Sequence, residues 1–469
     1  MPIDDVAEAI PTKRFFVSML TRDINLEDAI LDLLDNCLDG ALRCANGEEV
    51  DYSKFSVKIK LTPKGFEISD NCGGIPREIA KKYAFKMGRE LDDDRDLDAE
   101  TIGMYGVGMK RAIFKMGNDA DVLTWHNEDR YKVEIKPDWL ESKTWESLPI
   151  TNLPEVVQLE SPGTIITVKG LFPGVARHFG NDAFANDLNK SIGEHFSNFI
   201  RKGLTVSVND HLVTPVLVEV LGSEDENSPA PFVYKKEVDG VLITIVVGLN
   251  TSRRWSDDED DVDFERDRSS TTAGWTVFCN DRAVIVGDKS RLTGWGDGIP
   301  MYHGQFSVIT GIVEFRSSSA DKLPITTTKR ALDTSSDIWL EARTKMREGL
   351  RVWINYTNQW KNNPRSDQTK FWESSRPLTI NQAIEAVEKR DVTNKKDGGV
   401  EYNPVKKKVL PIPETKKPSS RRMVFSRPDV EIKKVSTFLF DRDDESPGVV
   451  GDKSFEYVLQ ISNKLGDEQ

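Results

Sequence analysis

The sequence predicts an α+β fold spread over more than one domain. A leucine-rich amphipathic helix lies near the N-terminus, and most of the strands that follow it are arranged as hairpins, which is typical of α+β sandwiches. At 469 residues the chain also exceeds the roughly 250 to 300 residues over which one hydrophobic core can grow. We therefore expect an α/β sandwich domain, a second α/β domain and a small C-terminal extension.

The amphipathic helix is predicted in NLEDAILDLLDNCLDGALR, which begins at Asn25. Apolar residues recur there every three or four positions, with acidic residues between them, at Leu26, Ile30, Leu33, Leu34, Leu38 and Leu42. The next segment, KFSVKIKLTPKGFEISDNCGGI, predicts two strands joined at residues 63–65 and followed by a glycine turn. A helix, a hairpin and a turn are thus expected to lie close together.

Further elements complete a first domain, residues 1–222. A helix is predicted to start in MKRAIFKMG, strands in DADVLTWH, RYKVEIK and GTIITVKGLF, and a long helix in AFANDLNKSIGEHFSNFIRKG. Residues 223–375, called the second block below, contain predicted strands in FVYKKEVDGVLITIVVGLN, GWTVFCNDRAVIV and FSVITGIVEF. A helix from Asp337 to about Trp360 closes that block.

The composition changes toward the end of the chain. Residues 376–424 hold a short predicted helix from Thr379 and then a segment rich in lysine, arginine and proline, which is the composition of an exposed linker. Residues 425–469 form a small extension, with strand-like stretches in EIKKVSTFLF and FEYVLQIS.

Charge and cysteine usage exclude several classes of protein. The net charge of −13 argues against nonspecific nucleic-acid binding by the whole surface, but residues 406–422 carry seven basic residues against one acid and could contact DNA. The four cysteines, Cys37, Cys44, Cys72 and Cys279, lack C-x-x-C spacing, which favours reduced thiols over disulfides or zinc. No apolar run of about 18 residues occurs and the N-terminus is acidic, so we expect a cytoplasmic protein without a membrane segment.

On the first helix, Asp32 and Asn36 are four residues apart and therefore share a face. A carboxylate can polarise a water there, and the neighbouring amide oxygen can ligate a hard cation such as magnesium. The alternative is an ordinary solvated face, because this helix is rich in acids.

Asp70 ends a predicted strand in DNCGGI, just before a glycine turn that contains Gly74. A carboxylate in that place can accept a hydrogen bond from the amino group of a purine lying against the turn. The alternative is a plain Asx turn.

The glycine stretch, residues 102–112 with the sequence IGMYGVGMKRA, has G-x-x-G-x-G spacing that fits neither the dinucleotide fingerprint nor the P-loop. Gly103, Gly106 and Gly108 leave backbone N–H groups free to converge on an anion just before a helix, and Lys110 and Arg111 add positive charge. Phosphate binding is favoured over a flexible hinge.

The order DLLDN, DNCGGI, GMYGVG and then Gly163-Thr164 resembles the four boxes of the GHKL ATPases, which include gyrase, the heat-shock chaperone, histidine kinases and MutL. The resemblance spans residues 15–175 and implies the Bergerat fold. It also implies that Asn36 ligates magnesium, that Asp70 binds the adenine amino group, that Gly74 lets the base approach and that Thr164 supports the adenine side. The phosphates of ATP would be wrapped by Gly103, Tyr105, Gly106, Val107, Gly108 and Lys110. Residues 86–101 would form the lid.

The chain departs from the family's pattern at two positions. Asp32 stands where the family usually has a glutamate as the hydrolytic base, so its carboxylate is one methylene shorter. Because general-base catalysis depends on geometry, ATP hydrolysis is less strongly predicted than ATP binding. Cys72 stands where glycine is common, which reduces backbone freedom but leaves the purine contact intact.

In the second block, LPITTTKRALD resembles the transducer domains of MutL, type II topoisomerases, the heat-shock chaperone and MORC proteins. That likeness implies a lysine that reaches the terminal phosphate, with Lys329 as the candidate and Lys322 as the second choice. Taken alone, a lysine in a threonine-rich loop is more often simply solvated.

Together these residues predict an ATP-dependent conformational switch with magnesium as cofactor, in which Asp32 activates water and Lys329 senses the γ-phosphate. The resemblance implies a homodimer closed by ATP, with effector partners, in DNA management or prokaryotic antiviral defence. The rival is a nucleotide-regulated clamp on DNA or protein that hydrolyses little ATP. A protein kinase of the same fold is disfavoured by the second block.

Overall fold

The computed structural model describes residues 12–45, 48–88, 100–101, 103, 106–142, 144–154, 161–223, 230–251, 272–326, 328–360, 375–390, 393–394, 399–404 and 423–466. The chain divides into two compact units, Met1–Pro413 and Glu414–Gln469. The first unit contains two large sheets with helices packed on them, so the predicted α+β class is confirmed.

The described strands of the first domain form an eight-stranded sheet in the order β5-β4-β3-β6-β2-β1-β7-β8. Neighbouring strands are antiparallel except for the parallel pair β1 and β7. The predicted hairpin at residues 63–65 is confirmed, because β1 and β2 pair across it. The strands are β1 (Ser56–Thr62), β2 (Gly65–Asp70), β3 (Ala120–His126), β4 (Asp129–Ile135), β5 (Ile150–Asn152), β6 (Gly163–Val168), β7 (Thr205–Val208) and β8 (His211–Leu212).

The helices of this domain are α1 (Lys13–Arg22), α2 (Leu26–Cys44), α3 (Arg77–Ile79), α4 (Gly108–Met116), α5 (Pro137–Glu141), α6 (Pro173–Phe179), α7 (Asp182–His195) and α8 (Ser197–Arg201). Helix α2 is the predicted amphipathic helix: Asn25 caps it by accepting a hydrogen bond from Asp28 N at 2.7 Å, and Ile30, Leu33, Leu34 and Leu38 of its apolar stripe are buried. The long helix predicted after residue 182 is interrupted at Phe196, which separates α7 from α8.

The second sheet has the order β13-β12-β14-β11-β10-β17-β16, and its one parallel pair among the described strands is β12 with β14. The strands are β9 (Val220–Gly222), β10 (Phe232–Val238), β11 (Val241–Leu249), β12 (Gly274–Cys279), β13 (Arg282–Asp288), β14 (Ile309–Arg316), β15 (Arg376–Leu378), β16 (Thr393–Asn394) and β17 (Val400–Tyr402). Strands β9 and β15 form a separate pair.

Helix α9 (Asp337–Trp360) has the bounds that the sequence predicted, and it packs against β11 and β14. On it, Trp353 is fully buried and donates from Nε1 to Val247 O at 2.6 Å. Helix α10 (Ile380–Glu388), also predicted, begins with a capping box between Thr379 and Gln382.

The first domain and the second block share one contiguous cluster of buried apolar side chains, which includes Leu34 of α2, Phe196 and Trp339 of α9. This continuity holds the second block against the first domain within one compact unit. The second block can therefore contribute side chains to a site on α2.

The unit Glu414–Gln469 contains α11 (Asp429–Phe440) and α12 (Pro447–Gly466), which contact each other through Phe438 and Tyr457 with ring centroids 5.6 Å apart. The strands predicted in EIKKVSTFLF and FEYVLQIS are therefore wrong. The stretches are rich in apolar and β-branched residues, but Pro428 and Pro447 stand where the helices begin, a start signal that outweighs strand propensity. Among the described residues, no helix is both long and apolar enough to cross a membrane.

Candidate functional site

A cavity of about 310 Å³ lies beside α2 and is lined by nearly all the residues that the motifs singled out. The predicted site residues that line it are Asp32, Asn36, Asp70, Gly74, Gly103, Gly106, Val107, Gly108, Lys110, Thr164 and Lys329. Tyr105 and most of the predicted lid, residues 89–99, lie outside the described part of the chain. Segments separated by almost 300 residues thus meet at one site.

Asp70 lines the cavity and is the last residue of β2. Its Oδ1 accepts hydrogen bonds from Cys72 N at 2.8 Å and Thr164 N at 3.3 Å, and Cys37 Sγ lies 3.5 Å from its Oδ2. Burial raises the pKa of Asp70 to about 6, against the lowering effect of these hydrogen bonds. The carboxylate is therefore held in one orientation at the cavity wall.

The glycine turn after Asp70 packs tightly on β3. Gly73 and Gly74 have φ angles of +90° and +69°, and a Cβ on Gly74 would lie 2.1 Å from Trp125 O. Glycine is thus required at Gly74 by the close approach of the turn to β3. The approach of a base to the same turn stays a prediction. Thr124, which the sequence did not single out, accepts from Ile75 N at 2.8 Å and fixes this turn.

The glycine stretch also lines the cavity. The prediction of a free N–H at Gly103 is wrong, because Gly103 N donates to Asp39 Oδ2 at 3.1 Å. Gly106 has a φ of +62°, and α4 begins at Gly108. Among the described residues no side chain caps the N-terminus of α4, and the residues of its first turn, Gly108, Met109 and Lys110, line the cavity. The helix dipole therefore favours negative charge there. This arrangement can bind an anion.

Lys110 lines the cavity, but its amine donates to two backbone carbonyls, Ala84 O at 2.9 Å and Gly106 O. The residue is 3% exposed. Lys110 therefore connects the glycine stretch to the segment that precedes the predicted lid, and this bracing was not foreseen from the sequence.

Arg111, expected to add positive charge behind the glycines, is instead paired with Asp32. Its Nε donates to Asp32 Oδ2 at 3.2 Å and its Nη2 donates to the same oxygen, with both side chains buried. Burial raises the pKa of Asp32, although Lys329 and Arg111 act in the opposite direction. Asp32 lies next to the start of α4, because a Cβ on Gly108 would be 3.7 Å from its Oδ2.

Asn36 is exposed while the other residues of α2 from 31 to 39 are buried, and it faces the cavity. Its amide oxygen suits magnesium, which takes few ligands from protein and fills its shell with phosphate and water oxygens. No group of three or more histidine, cysteine or acidic residues in the described chain is placed to hold a metal alone. The donor set fits a magnesium ion that arrives with phosphates.

Lys329 reaches the cavity from the second block. Its Nζ lies 3.0 Å from Asp35 Oδ2 and 3.9 Å from Asp32 Oδ1. Burial opposes the charge of Lys329, but Asp35 and Asp32 outweigh that effect, so its pKa is raised. Lys322, the second choice, is exposed and does not line the cavity.

Asp35 is a buried carboxylate next to the candidate site to which the motif analysis gave no role. It accepts from Lys329 and also from Arg282 Nε at 3.0 Å, and both the Asp35 and the Arg282 side chains are 1% exposed. The signal was present: Asp35 lies one turn from Leu31 and Leu38 on the apolar stripe of α2, where an acid needs a buried partner.

Residues 24–164 match the family model described as "Histidine kinase-, DNA gyrase B-, and HSP90-like ATPase". The match covers less than a third of the chain and includes α2, the glycine turn, the glycine stretch and Thr164. It supports the GHKL assignment of the first domain. Comparison of the chain with curated proteins gives no match.

Proposed function

We propose that this protein binds and hydrolyses ATP and uses the nucleotide as a conformational switch. The observation that carries the proposal is a single cavity lined by Asp70, by the glycine stretch with the first turn of α4, and by Lys329 of the second block, whose Nζ is 3.9 Å from Asp32 Oδ1. The match of residues 24–164 to a family of ATPases supports the same function.

In the proposed complex, Asp70 accepts a hydrogen bond from the adenine amino group, and Thr164 and Thr124 support the turn around it. The phosphates lie at the glycine stretch, where backbone N–H groups and the dipole of α4 favour negative charge. Asn36 would hold a magnesium ion, which supplies neutralisation of phosphate charge.

For hydrolysis, Asp32 orients the attacking water and accepts its proton, and the buried Lys329 ammonium neutralises charge that develops on the γ-phosphate. Arg111 holds Asp32 Oδ2, which leaves Oδ1 as the oxygen nearer to Lys329. The pKa of Asp32 is raised by burial, which strengthens it as a base.

The output of the switch is proposed from the resemblance to the MORC, MutL and heat-shock-chaperone branch. ATP would close two copies of the chain into a homodimer, and effector proteins or DNA would respond in DNA management or antiviral defence in the cytoplasm. The basic residues 406–422, which lie outside the described part of the chain, would contact DNA, and that binding should weaken steeply with salt.

A second candidate is a clamp that binds ATP and hydrolyses little of it. The observation that favours it is the engagement of Asp32, already shorter than the usual glutamate, in a buried pair with Arg111. In that function closure would persist until the nucleotide dissociates.

Calorimetry of ATP binding and a phosphate-release assay on the full chain test these functions together. A switch shows magnesium-dependent binding and turnover, and Asp32→Ala retains binding while losing turnover. Binding without turnover would select the clamp, and the absence of ATP binding would refute both.

A further inference from the structure

We propose that Asp35 is a positioning residue that holds Lys329 in the cavity where the proposed function puts the γ-phosphate, and that it keeps Lys329 from pairing closely with Asp32. This inference rests on the proposed ATP-dependent function. Nothing in the motif pattern assigns a role to Asp35, which lies between the residues predicted to activate water and to ligate magnesium.

The two oxygens of Asp35 are divided between two cations of the second block. Oδ1 accepts from Arg282 Nε and Oδ2 accepts from Lys329 Nζ, each at 3.0 Å. These partners are 247 and 294 residues away in sequence. One buried carboxylate of α2 therefore fixes the second block to the helix that carries Asp32 and Asn36.

The distances show which carboxylate holds the lysine. Lys329 Nζ is 3.0 Å from Asp35 but 3.9 Å from Asp32 Oδ1, beyond hydrogen-bond length. A buried ammonium requires a counter-charge, so without Asp35 it would turn to Asp32 as its nearest carboxylate. That pairing would remove both the γ-phosphate contact and the free oxygen of the base.

The backbone conformation of Lys329 indicates that contacts with the surrounding residues fix its position. Its φ of +55° is unfavourable for a residue with a Cβ, and such conformations persist where the surroundings over-determine them. The next residue, Arg330, pairs with Glu27 at 2.8 Å and with Asp28, in the first turn of α2. Lys329 is thus held by α2 through its side chain and through its neighbour.

Asp35 could instead serve only to bind the second block through Arg282, whose guanidinium also lies 4.2 Å from the Phe196 ring centroid. The two roles differ in their dependence on Lys329. A positioning role acts on the nucleotide through Lys329 alone, whereas a purely structural role lowers stability whether or not the lysine is present.

The functional test compares Asp35→Asn, Lys329→Met and the double variant in full-length protein. The Asp35→Asn variant should bind ADP within about twofold of the parent, bind a non-hydrolysable ATP analogue about tenfold or more weakly, and lose about ten- to hundredfold in kcat. The double variant should be no slower than Lys329→Met. A double variant slower than Lys329→Met by the full Asp35→Asn factor would overturn the proposal.

Asp121→Asn is the matched control, because Asp121 of β3 is 6% exposed, pairs with Lys169 at 2.7 Å and does not line the cavity. It should leave the ATP-to-ADP affinity ratio and kcat unchanged. An equal loss in this control would show that removing any buried charge has the same effect, and would overturn the assignment to Asp35.

A double-mutant cycle in thermal unfolding without nucleotide tests the contact itself. The fall in Tm for the double variant should be smaller than the sum of the two single falls, and additive falls would refute the contact. A parent that binds the ATP analogue without turnover would refute the proposed hydrolysis, yet the affinity ratio would still test Asp35. Normal turnover with an unchanged ratio in Asp35→Asn would refute the positioning role alone.

Discussion

Arg111 donates from both Nε and Nη2 to a single oxygen of Asp32, and this ion pair is buried between α4 and α2. It joins the helix that follows the glycine stretch to the helix that carries the candidate base. Removing one partner of a buried pair leaves an uncompensated charge, which destabilises a protein by about 3 to 5 kcal/mol.

We therefore expect Arg111→Met to lower the free energy of unfolding in urea by about that amount. The double variant Asp32→Asn with Arg111→Met should recover part of the loss, because neither charge is then left alone. A loss below about 1 kcal/mol in Arg111→Met would indicate an ion pair of the weak, solvent-screened kind.

Variants of Asp32 distinguish the ATP-hydrolysing switch from the clamp that hydrolyses little ATP. Asp32→Asn should bind ATP with near-parental affinity and turn it over about 10² to 10⁴ times more slowly, the usual contribution of a general base. Asp32→Glu restores the longer side chain and should increase turnover if the parent base is held back by its reach. Phosphate release measured at saturating ATP gives both results, and equal turnover in the parent and in Asp32→Asn would remove Asp32 from the chemistry.

Local sequence was sufficient for the elements that build the site. Short windows of sequence predict α2 from its hydrophobic period and the turn at residues 63–65 from its turn residues. The glycines before α4 likewise predict the start of that helix. The resemblance of the four boxes to the GHKL pattern then predicted one site for Asp32, Asp70 and Thr164, and all three line the same cavity.

The partners of the charged residues could not be predicted in this way. Asp35 meets Arg282 and Lys329 only when two sheets and a shared core have formed, and no periodicity relates positions so far apart in sequence. Arg111 was expected to add positive charge near the phosphates because it follows the glycine stretch, but its side chain donates to Asp32 on α2. The α11 and α12 stretches were mistaken for strands because their apolar residues are also good strand formers.

Asp70→Asn should weaken ATP binding by about ten- to hundredfold, because one acceptor oxygen of a charged hydrogen bond becomes an NH₂ donor. The fold should tolerate the change at pH 7, because Asn still accepts from Cys72 N and Thr164 N and no charge is then buried. Calorimetry measures the affinity, and inorganic tripolyphosphate, which lacks adenine, serves as the control ligand. Parental ATP affinity in the variant would remove Asp70 from the adenine site.

The raised pKa of Asp70 predicts a pH dependence. The folded value is about 6, and an unfolded aspartate titrates near 3.9. Its contribution to the stability of the nucleotide-free protein is therefore complete below about pH 4 and is lost as the pH rises through 6. In the proposed complex adenine binds the ionised carboxylate, so ATP affinity should have the opposite trend and fall by up to about tenfold per pH unit below 6.

Isothermal calorimetry from pH 5 to 8 checks this trend, with Asp70→Asn as the reference that removes the titration of ATP itself. The ratio of parental to variant affinity should decline below pH 6. A ratio that stays constant across this range would mean that Asp70 does not ionise on binding.

Lys329 gives the switch its proposed dependence on the third phosphate. ADP lacks the group that this lysine would contact, so ATP alone makes the differential interaction that can shift an equilibrium between open monomers and a closed dimer. A charge-assisted contact of about 2 kcal/mol changes the closed-to-open ratio roughly thirtyfold. Lys329→Met should therefore keep near-parental ADP affinity, lose most of its turnover and remain monomeric with an ATP analogue in light scattering.

Lys322→Met is the matched control, because Lys322 belongs to the same loop region of the second block but is exposed and does not line the cavity. It should dimerise like the parent when the ATP analogue is added. Two results would argue against the γ-phosphate contact: dimerisation of Lys329→Met on the analogue, or equal dimerisation of the parent on ADP and on the analogue. In the first case the second block would still be fixed to α2 through Arg282 and Arg330, so closure would have to depend on those contacts and not on the lysine.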